Sequence, residues 1–410
     1  MTRLRLATSL PLHRMLLTAG CVVFSSMAAA AQESGPAREE KPWYEALELG
    51  LTMDLISEWS SADQFDRFNQ VRLRSLQFQA AGQLQDVGWA YAVMDFSDGG
   101  GGSDWVLREG AAWITDLTEG FQFRAGKYYA DLGAWNRVYA HEFPAPNYDS
   151  VRRSFLGGNL ALTGVEVHNA FETESSRARW SVGLAGDAEG QDVDLKGNGL
   201  DQDSGLTSSG RRGLQNWAAH GRFEYSGEWD ERTIWTVGTS AFLAPDRVQF
   251  TRIDPDGIPG SLDDRTRRDE LRQFLAGVDF QYRTQSAYGE AWEHFSLEFW
   301  YEDAEYLDRN RRVDSDRKLG SWLMYEYGFN ESWSVGGLLS WNERPALAFD
   351  DAEAYRSLFA TFRIAPDHFL RAFFSHSNPG LGMQKYYAGG LQWVWTLGAA
   401  RRGRQSLWQE

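Results

Sequence analysis

The sequence predicts an all-β fold: a transmembrane antiparallel β-barrel of about sixteen strands, with short periplasmic turns and long extracellular loops. Three observations lead there. Apolar residues recur with period two in many short segments, the spacing of a half-buried strand. Aromatics are abundant, with 18 Trp, 16 Tyr and 24 Phe in 410 residues, yet the mean hydropathy is only −0.48. The links between segments alternate between tight and long. A strand wall with lipid on one side and water on the other reconciles the first two, because averaging over both faces hides the apolar one.

The elements follow in order. Leu47, Leu49, Leu51, Met53 and Leu55 share one face of the first strand, opposite Glu48, Gly50, Thr52 and Asp54. Strands are predicted over 47–56, 71–84, 87–96, 107–115, 121–127, 160–169, 178–186 and 214–225. Eight more follow at 233–242, 271–282, 292–301, 319–328, 333–341, 354–364, 368–376 and 386–398. In 71–84 the apolar parity slips between Leu73 and Leu76, which predicts a bulge. In 354–364 either parity could face lipid, and a 14- or 18-strand count stays open. Rings at the ends of apolar faces, such as Tyr225, Tyr282, Tyr301, Trp333 and Trp341, suit a membrane–water girdle. Links after even-numbered strands are short, as at Gln85-Asp86 and Asn330 to Ser332. Those after odd-numbered strands are long, above all 128–159, 187–213 and 243–270. This alternation is the mark of an outer-membrane barrel with both termini in the periplasm.

Composition excludes other classes. The aromatic content is foreign to disordered chains. After the first thirty residues no apolar run is long enough for a spanning helix. A net charge of −16 without a basic stripe argues against nucleic acid. Residues 1–31 are expected to be a signal peptide, with Arg3, Arg5 and Arg14, an apolar Met15–Ser26 stretch and Ala29-Ala30-Ala31 before Gln32. Cleavage there removes Cys21, the only cysteine, and with it any disulfide or thiol chemistry. Residues 32–46 read as a periplasmic lead-in, 47–398 as the barrel and 399–410 as a periplasmic tail.

Loop 128–159 stands out by its chemistry. It carries Trp135, Asn136, Arg137, His141, Arg152 and Arg153, with Pro144 and Pro146 to stiffen it. Mixed arginines and carboxylates across a narrow aqueous gap would set a transverse field and a size limit. An exposed loop with ordinary ion pairs is the plainer reading. Lumen-facing charges by parity are Glu48, Asp54, Arg124, Arg222, Glu224, Asp279, Glu298 and Arg371. For any one of them, rigidifying the wall is the ordinary role. Asp254, Asp256 and Asp263 around Gly257 have the hard oxygens of a calcium loop. No Glu stands at the twelfth position, so a solvated loop is the default and no cofactor is expected. Catalysis finds no support. Gly126-Lys127 lacks phosphate-loop spacing, His141-Glu142 lacks a second His, and His376 and Ser377 are adjacent and so point oppositely on a strand.

With these residues assembled, the chain resembles bacterial outer-membrane porins, and among them the phosphate-selective porin group and its uncharacterised relatives. The resemblance rests on Val71-Arg72-Leu73-Arg74 with Gly82 and Leu84, on the turn and strand Asp86–Phe96, on Arg124-Ala125-Gly126-Lys127-Tyr128-Tyr129, and on Gln392–Gly398. It implies that the third long loop folds into the lumen and narrows it. Lysines are sparse, so phosphate selectivity does not carry over, and the chain lacks a terminal aromatic. The expected function is passive diffusion of small hydrophilic solutes or ions across the outer membrane. Arg124, Arg137, Arg152, Arg153, Arg222 and Arg371 are the expected solute contacts, since a guanidinium fork binds carboxylate and phosphate. The alternative is a non-conducting structural or adhesive barrel plugged by its own loops. Expected partners are outer-membrane lipid and lipopolysaccharide and the barrel-assembly machinery, with a homotrimer open as an assembly.

Overall fold

In the computed structural model sixteen strands form one closed antiparallel barrel in which β1 pairs with β16. The residues described are 47–61, 70–84, 87–98, 103–118, 120–145, 150–190, 217–253, 265–286, 290–307, 313–343, 352–365, 368–378 and 385–398. The expected signal peptide, lead-in and tail, together with Asp254, Asp256 and Asp263, lie outside them, as does the side chain of Arg153.

The strands are β1 Leu47–Ser60, β2 Gln70–Leu84, β3 Gly88–Asp98, β4 Ser103–Thr118, β5 Phe121–Tyr129, β6 Leu160–Glu172, β7 Ser176–Gly190 and β8 Ala218–Asp230. They continue with β9 Thr233–Ile253, β10 Arg265–Gln285, β11 Trp292–Leu307, β12 Val313–Gly328, β13 Trp333–Glu343, β14 Ala352–Ala365, β15 His368–Asn378 and β16 Tyr386–Gly398. Each lies on a stretch predicted as a strand. Most run further than periodicity indicates, and the extensions 243–253 of β9, 302–307 of β11 and 313–318 of β12 lie on the long-loop side. These stretches carry charged residues at both parities, so the alternation fades.

Parity divides the wall as lipid requires. Along β1, Thr52, Asp54, Ile56 and Glu58 are buried inside, while Leu47, Leu49 and Trp59 are exposed outside. The slip in β2 is a bulge at Arg74, where the register with β1 jumps from Asp54–Ser75 to Leu55–Leu73. The extra residue keeps Arg72 and Arg74 inside and both apolar sets outside, and Arg74 pairs with Asp54. On β14 the odd residues face in, with Tyr355, Ser357, Phe359 and Thr361 buried, and Leu358 and Ile364 exposed. Two bands of rings mark the membrane edges. Trp229, Trp235 and Tyr282 meet near the short turns, and Trp59, Phe374 and Tyr387 near the long loops.

Val278, midway along the outward face of β10 and exposed, sets a test of this orientation. Val278→Arg puts a cation at mid-bilayer and should cost about 2–4 kcal/mol in reversible unfolding from lipid vesicles. Gln281→Arg, on the lumen face of the same strand, should be near neutral.

Candidate functional site

The loop between β5 and β6 (L3, residues 130–159) turns into the barrel and crosses to the far wall. Its first stretch reaches β9 and β11. The Gly133 N–H donates to Ser240 Oγ (2.9 Å), the Ala134 N–H to Glu298 Oε1 (2.7 Å) and Trp135 Nε1 to Ser296 Oγ (2.8 Å). Gly133 has a φ of 61°, and a Cβ there would meet Trp300 at 2.8 Å and the Glu298 carboxylate at 2.9 Å, so only glycine allows the approach. Arg371 on β15 then donates to the Phe143 carbonyl (2.8 Å). A short helix, α1 (Ser150–Leu156), docks through hydroxyl contact of Ser150 with Ser340 on β13 (2.9 Å). Lys318 on β12 donates to Ser154 Oγ (3.2 Å).

Apolar packing backs these bonds. Leu132, Phe143, Val151, Phe155 and Leu156 of L3 are buried with Tyr128, Trp300, Trp322 and Phe359 of the wall. Rings meet edge-on where Trp135 packs against Phe143 at 5.2 Å. Glu298 accepts from Trp300 Nε1 and Trp322 Nε1 as well (both 3.0 Å), so one carboxylate joins L3 to two wall tryptophans.

The candidate residues fall into three groups. Asn136, His141 and Arg152 hold L3 in shape. Asn136 bonds the Ala130 and Leu160 backbone, Arg152 donates to the Trp135 carbonyl at 2.9 Å and covers the Phe143 ring at 4.6 Å, and His141 stacks on Tyr139. Arg371 joins L3 to the wall, while Arg124 ties β5 to β6 where the loop begins. Arg124 is fully buried against Glu166 between the Tyr128 and Trp113 rings. Arg371 also meets Gln392 Oε1 at 3.0 Å. Trp135 serves the same purpose through Ser296. The third group reaches water through Arg137, with Arg222 buried behind it. Arg137 retains 17% side-chain exposure beside Asp131, and Arg222 joins it through Glu224 and Asp279 (3.0 and 2.9 Å).

Residue periodicity did not single out Asp131 and Arg179, which complete this third group. Asp131 takes Arg137 at 3.2 Å, Arg179 at 3.6 Å, Arg222 at 3.7 Å and the Ser181 hydroxyl at 3.1 Å. Burial alone would raise its carboxyl. The three guanidiniums outweigh burial and hold it well below the usual carboxylate range. Arg179 and Glu224 meet at 3.2 Å and keep 12% and 21% side-chain exposure, so with Arg137 they form a mixed-charge rim where L3 leaves β5. The signal for Arg179 was its inward parity with Ser181 on β7. Asp131 lies past the end of a strand, where parity is silent. Among the described residues no group of three or more His, Cys, Asp or Glu is placed to hold a metal. His376 faces lipid and Ser377 is buried inside, as their adjacency requires.

With this geometry in view, comparison with known proteins bears on the barrel alone. No protein-family model and no curated sequence matches the chain. Among solved structures, an anion-selective porin from Comamonas acidovorans aligns with a TM-score of 0.52 at 9% identity, covering 85% of this chain and 99% of its own. In-vitro folded OmpT, an outer membrane protein of Vibrio cholerae, aligns at 0.50 and 8% identity, covering 85% and 97%. The chain has the fold of an outer-membrane porin.

Two outcomes follow from the Asp131 cluster. Asp131→Ala leaves three clustered guanidiniums without their shared anion and should lower stability by about 3–5 kcal/mol, read by denaturant unfolding. A depressed carboxyl stabilises fully above its unfolded value and loses that only as pH falls through the lower folded one. L3 should therefore stay anchored between about pH 5 and 8, with amide exchange of residues 130–136 flat over that window.

Proposed function

We propose that the protein is an outer-membrane porin that passes small hydrophilic solutes or ions by diffusion through a lumen narrowed by L3. The observation that carries this reading is the mixed-charge rim of Arg137, Arg179 and Glu224. These side chains keep partial exposure to water inside a closed barrel, while the rest of L3 is bonded to the opposite wall. Opposed guanidiniums and carboxylates beside an aqueous gap act on the size, charge and dipole of what passes. Arg137 and Arg179 are the solute-contact arginines on this reading, and Arg222, its side chain buried, holds Asp131 and Glu224 beside them. Arg152 and Arg371 act as positioning residues that keep the loop across the lumen, and Arg124 fixes the strand ends from which it starts. Three arginines balance Asp131, Glu224 and Asp279, so the rim favours modest ion selectivity. Calcium in the loop containing Asp254, Asp256 and Asp263 remains an independent proposal.

The apolar packing of Phe143 and Phe155 across the lumen favours a second reading, a non-conducting structural or adhesive barrel. Planar bilayers separate the two. The purified, heat-modifiable barrel should give discrete conductance steps, and their absence would sink the porin reading. Under a salt gradient, Arg137→Ala and Arg179→Ala should shift the permeability ratio toward cations by on the order of twofold, and Glu224→Gln toward anions. Arg152→Ala should instead raise conductance noise by loosening L3.

A further inference from the structure

One inward row of the barrel crosses five strands near the short-turn mouth. It runs from Glu228 on β8 through Ile234, Arg283 and His294 to Glu326 on β12, each residue the cross-strand partner of the next. Parity turns the row inward, since Trp229, Trp235 and Tyr282 beside it belong to the outer ring band. His294 is buried and its ring stacks on Trp135 of L3 at 5.5 Å. The row therefore starts where L3 is anchored and leads along the wall away from it.

The charges of this row differ in their partners. Glu326 is taken by Arg363 at 3.2 Å and by the Ser334 hydroxyl at 2.6 Å. Nearby, Glu172 holds Arg177 at 3.0 Å and Glu224 holds Arg179 at 3.2 Å. Glu228 and Arg283 are exposed, and among the described residues they make no ion pair or side-chain hydrogen bond. Ile234 stands between them, 51% exposed. Two strand spacings separate β8 from β10, so the backbones of Glu228 and Arg283 lie about 10 Å apart. A free carboxylate, an open apolar side chain and a free guanidinium in line fit a solute with the matching order of ammonium, apolar centre and carboxylate. An extended peptide of two or three residues spans about 7–10 Å and has that order.

We propose that this row is a binding site for short zwitterionic peptides at the periplasmic mouth of the lumen. Glu228 takes the terminal ammonium, Arg283 forks onto the terminal carboxylate and Ile234 meets a side chain between them. A single amino acid is too short to engage both charges, and a simple anion engages only Arg283. The site rests on the porin reading for the solute's route, and it names a class of solute which that route favours.

The probes are trialanine, N-acetyl-trialanine, trialanine amide and alanine, titrated calorimetrically into the full barrel in detergent. Wild type should bind trialanine with a Kd on the order of millimolar, and alanine and both blocked peptides about threefold or more weakly. Arg283→Gln should bring trialanine down to the level of its amide and leave the amide unchanged. Glu228→Gln should bring it down to the level of the N-acetyl form and leave that form unchanged. Both side chains are exposed, so the variants should fold, and heat-modifiability checks that they do. Absence of trialanine binding, or equal binding of trialanine and its blocked forms by wild type, would overturn the proposal without any variant. So would variants that weaken blocked and unblocked peptides alike, the mark of a general change in the lumen field. Binding needs no conduction, so a barrel that binds trialanine yet gives no conductance steps would fail the porin reading and keep the site.

Discussion

The structure depends on one constraint: in hydrocarbon, no backbone N–H or C=O can go unpaired. Each open group costs several kcal/mol there, so a sheet that meets lipid must close on itself. The pairing of β1 with β16, from Gly50–Gly398 to Ser60–Ala388, removes both edges. Closure then fixes inside and outside for every residue, because adjacent side chains point to opposite faces. It also makes the inside a confined space. Anything in a sixteen-strand lumen must come from side chains of the wall or from a loop that folds in.

L3 is that loop, and its energetics differ from those of the wall. The wall satisfies its backbone through ladders. L3 has no ladder, so its N–H and C=O groups find local turns and side chains instead. Ser240 and Glu298 accept from the Gly133 and Ala134 N–H groups, and Arg152, Asn159 and Arg371 donate to the carbonyls of Trp135, Val138 and Phe143. This explains the density of buried polar groups inside the barrel. They are the hydrogen-bonding partners of an irregular segment that would otherwise carry unsatisfied backbone. It also explains why so many lumen arginines touch protein and not water.

The barrel was legible in the sequence because each strand repeats one rule. Leu47 to Leu55 or Trp333 to Trp341 shows which residues meet lipid, and even the Arg74 bulge shows as a parity slip. The loop was legible only in composition. Trp135, Arg137 and Arg152 marked it as chemically distinct, but no local pattern shows which wall residue each would meet. Contacts such as Ala134 with Glu298 span more than 160 residues of sequence and arise from closure. Asp131 was missed for the same reason. Its three arginines come from L3, β7 and β8, and only the folded barrel gathers them.

The distribution of charge pairs argues for a division of labour inside the lumen. A buried guanidinium must find acceptors, either a carboxylate or neutral ones such as the Phe143 carbonyl and Gln392 for Arg371, because an unmatched one costs more than its contacts return. Arg124 with Glu166 and Arg74 with Asp54 meet that demand one to one in the wall and project little field into the lumen. At the rim the matching is shared: Asp131 serves three arginines, and Arg222 divides its bonds between Asp279 and Glu224. Shared partners leave part of each charge uncancelled locally although the sum is near zero. A passing solute therefore meets a dipolar field at Arg137, Arg179 and Glu224, and a field of that kind discriminates by orientation and polarity more than by net charge.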